Sequence, residues 1–162
     1  MSKKHNSRKE KFIGSIAPFS LQDQDVWSDI SGRCRFNFSY FDANQEHATD
    51  MRTWDEANLQ QFFSKLISYC RHPLSHWQQQ TVGSHRHHVL EIYGAFPRKS
   101  GFRPPLHVPS DVDWARFRLD QRKRLIGFTI PKSYCTSGSH FDDNTFYIVF
   151  LDLEHQFYLG DR

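Results

Sequence analysis

The hydrophobic and polar positions of this chain lay out its elements in order. From Cys34 to Tyr40 the side chains Cys34, Phe36, Phe38 and Tyr40 alternate with Arg35, Asn37 and Ser39, a period of two that predicts a half-buried strand with a polar outer face. Further on the period lengthens. Leu59, Phe62, Phe63, Leu66, Ile67 and Cys70 recur at helical spacing and form one wide apolar face. Thr53 and Glu56 stand three apart just before this run, the spacing of a capping box, and His72 before Pro73 is biased out of the α region, so a helix is predicted over residues 53–71. A Gln-rich connection, Gln78 to Gln80, leads to a strand over His87 to Tyr93 with His88, Leu90 and Ile92 on one face. Residues 97–111 hold four prolines and Gly101 and exclude both helix and central strand; a loop of this length, carrying Arg98, Lys99 and Arg103, suits a substrate-side flap.

The most hydrophobic stretch comes last. Trp114, Phe117 and Leu119, then Leu125, Ile126 and Phe128, then the run Phe146 to Leu151 read as a β-meander, with turns at Asp120-Gln121 and Ser137 to Asn144. The fold class that follows is α+β, an antiparallel β-meander sheet with one main amphipathic helix packed on it. Within the meander, five cations, Arg116, Arg118, Arg122, Lys123 and Arg124, fall within nine positions. They form either a phosphate-binding surface or the solvated face of an edge hairpin.

A chain of 162 residues, 38% hydrophobic and 15% aromatic, is long enough to bury a core without disulfides or metal. The division expected is a basic flexible arm and lead-in over residues 1–30 and a single α+β domain over 31–162. Lys3, Lys4, Arg8, Lys9 and Lys11 make the arm basic, as either a solvated tail or a tracker of phosphates, while a net charge of +3 says little by itself. Three widely spaced cysteines favour neither a disulfide framework nor a zinc ribbon and fit a reducing cytoplasm. No apolar run approaches the roughly 18 residues of a membrane span, so no membrane partner is expected.

Ten histidines raise the question of a metal, but His88 points away from His85 and His87 on a strand, and no recognised ligand spacing completes a set. No metal and no cofactor are expected. Cys34 and Cys70 fall on core faces and Cys135 has no base beside it, which argues against a cysteine nucleophile.

The segment Arg124-Leu125-Ile126-Gly127-Phe128, a turn, the strand Phe146 to Leu151 and the closing His155 and Tyr158 resemble the C-terminal half of RelE/ParE-type toxins, over about the last third of the chain. The stretches FNFSYFD and NTFYIVFLDLEHQFY also look like those of small uncharacterised bacterial and phage proteins. The toxin resemblance implies an RNA-binding protein of RelE-like type, a metal-independent endoribonuclease in its enzymatic form, in a toxin-antitoxin or phage-defence setting with an antitoxin or other protein partner. It implies catalytic roles for Arg124, His155 and Tyr158, with RNA contacts expected from Arg116, Arg118, Arg122, Lys123, Arg98, Arg103 and the arm residues Lys3, Lys4, Arg8 and Lys9. Whether the protein is an enzyme at all stays open at this stage. The alternative is a non-enzymatic module whose aromatic-rich sheet binds a protein or nucleic acid.

Overall fold

A computed structural model describes residues 29–84 and 86–160, with the isolated positions 8, 11, 20, 21 and 23. The chain divides into two units, Met1–Ser31 and Gly32–Arg162, and the architecture below is that of the second. Along it come β1 (Arg35–Asn37), α1 (Glu56–Tyr69), α2 (Leu74–Gln79), β2 (Thr81–Val82), β3 (His87–His88), β4 (Leu90–Gly94), β5 (Asp113–Arg118), β6 (Arg124–Thr129) and β7 (Thr145–Asp152). β4, β5, β6 and β7 pair antiparallel in sequence, β1 runs parallel to β7 at the far edge, and β2 and β3 form a separate hairpin. The fold is α+β with a mostly antiparallel sheet.

α1 starts later than its sequence suggested. Asp55, not Thr53, caps it, accepting the Asn58 N–H at 2.8 Å, while Thr53 closes a 3-10 turn by donating its hydroxyl to the Asp50 carbonyl at 2.7 Å. The two acceptors compete for one helix start, and the carboxylate nearer the apolar run takes it. The buried stripe is also narrower than the apolar pattern: Phe62, Leu66 and Tyr69 are buried, whereas Phe63 and Ile67 lie 52% and 62% exposed. After Pro73 the chain re-enters a short helix, α2, where only a connection was expected.

The sheet is covered on both faces. On one side α1 and α2 pack Phe62, Leu66, Tyr69 and Leu74 against Leu90, Ala115, Phe117, Leu125, Ile148 and Leu151. On the other, Trp114, Ile126, Phe128 and Phe150 meet Phe102 and Phe157, with Tyr40, Tyr93 and Phe96 at the margins, so this layer is built of loops. The proline-rich segment is therefore no flap. Phe102 is buried, the Gly101 N–H donates to the Gln156 carbonyl at 2.8 Å, and Gln45 clamps the Arg103 backbone from both sides. β1 ends at Asn37, short of the predicted Tyr40, because the chain there crosses to the loop layer and carries Tyr40 with it.

A bulge fixes which β7 residues reach which face. Ile126 pairs with Phe150 but Gly127 with Ile148, so Val149 is an extra residue and turns to the loop layer beside Phe150. Position 127 has to be glycine, since a Cβ there would sit 2.0 Å from the Tyr147 carbonyl oxygen.

Candidate nucleic-acid interface

Strand register alone lines up a row of arginines. Alternation along β5 sends Trp114, Arg116 and Arg118 to the loop-covered face, and pairing sets Arg118 across from Arg124, Arg124 across from Asp152, and Arg116 across from Glu91. The intervening turn is held by Asp120, whose Oδ1 accepts the backbone N–H groups of Arg122 and Lys123 at 2.9 and 2.8 Å.

The hairpin face is not solvated as one of the two sequence readings had it. Arg116 and Arg124 are only 7% and 2% exposed. Arg116 forms an ion pair with Glu91 and donates Nε to the Tyr93 hydroxyl at 2.6 Å. Arg124 donates Nη1 to the Asp120 and Lys123 carbonyls at 3.0 and 2.9 Å and Nη2 to that of Gln121 at 3.1 Å. Left over are Nη1 of Arg116, Nε of Arg118 and Nε of Arg124, all buried and without a hydrogen-bond partner among the described residues. Burial, and then the like charges of Arg118 and Arg116, pull Arg124 down to about 10. Buried cationic N–H groups left unpaired are costly, and an anion brought among them would relieve that cost.

His155 lies just past the end of β7. Fully buried Asp152 turns the chain there: Oδ1 accepts the backbone N–H groups of Glu154 and Gln156 at 3.2 and 2.9 Å, and Oδ2 that of Phe157 at 2.8 Å. Both carboxylate oxygens thus hold backbone. His155 itself is held at φ 63, in the left-handed region where non-glycine residues store strain, a feature concentrated at functional sites. Burial, and then the nearby Arg124 guanidinium, hold its imidazole below the ordinary 6.5, neutral and able to accept a proton near neutral pH.

Tyr158 follows the buried Phe157 and stacks on Tyr93, 5.2 Å between centroids and 3° between planes. Tyr158 is thereby connected to Arg116 through the Tyr93 hydroxyl. Its outer side, with Arg98, Lys99, Leu159 and Gly160, borders a recess of about 310 Å3. Arg116, Arg118, Arg124, His155, Tyr158 and Arg98 therefore belong to one side of the domain's C-terminal half. Lys123 does not join them: it turns to α1, donating to the Asn58 side chain at 3.0 Å and pairing with Asp120 at 3.4 Å. Arg122 is exposed on the turn, and Arg103 is exposed on the loop that Gln45 clamps. Of the arm, Arg8 is exposed; Lys3, Lys4 and Lys9 lie outside the described residues, as does His85. His87 and His88 are exposed on the small hairpin.

Sequence reasoning missed Glu91 and Tyr93 as members of this site. Their alternation on one strand face was visible, but only the pairing of β4 with β5 brings them to Arg116. Among the described residues no three His, Cys, Asp or Glu side chains gather as a metal site. All three thiols are pushed up, first by burial, Cys34 to about 12. No helix among the described residues is long and apolar enough to cross a membrane.

The chain matches no protein-family model, no curated protein and no solved structure. The resemblance to RelE/ParE-type toxins rests on the quoted residues alone.

Proposed function

We propose that this protein binds single-stranded RNA on the arginine-lined face and cleaves it without a metal ion. One observation carries the reading: three guanidinium groups in one strand-paired row each keep a buried, unpaired N–H, beside an imidazole held neutral. In the cleavage step, His155 takes the proton of a ribose 2′-hydroxyl as the 2′-oxygen forms its bond to phosphorus. The bond from phosphorus to the 5′-oxygen breaks, and that oxygen leaves with a proton from the Tyr158 hydroxyl or from water. The products are a 2′,3′-cyclic phosphate and a 5′-hydroxyl. Arg116, Arg118 and Arg124 stabilise the charge that develops on the phosphoryl oxygens, where fixed donors act most strongly because water is excluded. Tyr158, stacked on Tyr93, extends an aromatic platform on which an unpaired base can lie. The setting proposed is a toxin-antitoxin or phage-defence system with a protein antitoxin.

A second reading is favoured by Arg124, whose two Nη atoms are already engaged by turn carbonyls. On that reading the arginine row binds a partner anion and catalyses nothing. Expression of the chain and of Arg124→Ala, with growth and cellular RNA integrity as readouts, separates the two. Growth arrest with RNA loss that the variant abolishes supports the nuclease; intact RNA with both proteins supports the interaction module.

A further inference from the structure

A second recess, of about 470 Å3, opens between α1, α2, the β2–β3 hairpin and the β5–β6 turn. Its size lies within the range of about 300 to 1,000 Å3 common for small-molecule sites. Its lining is mixed in a specific way. Tyr69 and Trp77, edge to face with ring centroids 5.0 Å apart, contribute aromatic surface, and Val82, Val89 and Leu119 add aliphatic surface. The cation of the lining is Lys65, exposed on α1; Arg118 borders the recess where its backbone carbonyl accepts the Tyr69 hydroxyl, and its side chain belongs to the opposite face of the sheet. Asp120, the carboxylate of the lining, already accepts two backbone N–H groups and the Lys123 ammonium. Apolar aromatic walls with a cation at the rim suit a planar ring that carries an anionic group.

We propose that this recess binds a nucleoside phosphate, the base against Trp77 and Tyr69 and the phosphate met by Lys65. The histidine-rich stretch then has a use, since His87 lines the same recess as a donor or acceptor for base or sugar. The ligand arrives either as a free mononucleotide or as the unit flanking the cleaved bond of an RNA. In the second form the inference rests on the function proposed above, because the strand end at Arg118 borders this recess with its backbone and the arginine row with its side chain.

The test is a nuclear magnetic resonance titration of the full chain, first with AMP, GMP, CMP and UMP, then with a 2′-O-methyl trinucleotide, which has no 2′-hydroxyl to attack. Shifts are expected at the Trp77 indole N–H and the Val82 and Val89 amides, with affinity about tenfold weaker in Lys65→Glu, whose exposed position leaves the fold intact. Saturation by a mononucleotide identifies a free nucleotide as the ligand, and saturation by the trinucleotide alone identifies the flanking unit of RNA. Absence of shifts at these three reporters with either probe, or an unchanged affinity in Lys65→Glu, overturns the site. RNA cleavage measured alongside is an independent readout: cleavage without these shifts leaves the nuclease reading standing without the recess, and shifts without cleavage do the reverse.

Discussion

Two neighbouring phenylalanines on α1 show how much one position along a helix decides. Phe62 is 2% exposed and touches Phe38, Trp54 and Phe63 through its ring, whereas Phe63 is 52% exposed. Phe62→Ala is expected to cost about 3–5 kcal/mol and Phe63→Ala under about 1 kcal/mol, measured by denaturant unfolding. Equal losses would mean that α1 is rotated from the position described here. The helical period was legible in the sequence, but the choice of buried edge was not, because Phe63 and Ile67 are as apolar as the residues that reach the sheet. His155 gives a second expectation at this scale. Its folded-state imidazole is held below the 6.5 of an unfolded chain, so on acidification the unfolded state takes up the proton first. Its contribution is therefore complete above that value and is lost as pH falls through the lowered one. Melting temperatures at about pH 7.5 and about pH 5 should converge in His155→Gln relative to the native chain. An identical pH dependence in both would show that His155 is not the titrating group.

Among the elements, β6 and β7 are the most constrained. Their burial, unbroken along β6 and interrupted on β7 only at half-buried Tyr147, was legible as the apolar runs at 125–128 and 146–151, and the meander follows from them. Two features were not legible. The bulge at Val149 depends on which residues pair, and the loop layer depends on aromatic residues from segments that have no period of their own, such as Phe102 and Phe157. Gly127 ties these together. Gly127→Ala pushes a methyl into the Tyr147 carbonyl and should destabilise by about 1–3 kcal/mol or more, as overpacking does. A melting temperature unchanged by this substitution would contradict the described register of β6 on β7. The same comparison explains what was visible of the candidate site. Arg124, His155 and Tyr158 stood out by residue type and position, yet Glu91 and Tyr93 enter only through strand pairing, and Lys123 is turned away by its contact with α1.

For the whole molecule, a face lined by buried cations should bind RNA in a salt-dependent way. For single strands log K falls by about 0.7 per phosphate contact for each unit of log salt concentration, so Arg118→Gln should reduce the slope by roughly that amount. Fluorescence anisotropy with a labelled single-stranded RNA over a salt series reads it directly. A slope unchanged by the substitution would remove Arg118 from the interface. If the arginine row takes up an anion in the folded state alone, sulfate should also raise the melting temperature of the native chain, and by less in Arg118→Gln.

The central claim is that the arginine row and His155 act on one phosphodiester, and single-turnover cleavage of a short single-stranded RNA by the native chain and by His155→Gln tests it most directly. At matched melting temperature, the account predicts a 2′,3′-cyclic phosphate product from the native chain and a rate at least about 100-fold lower in the variant, the scale of a lost general base. Full activity in His155→Gln, or no cleavage by the native chain, would contradict it.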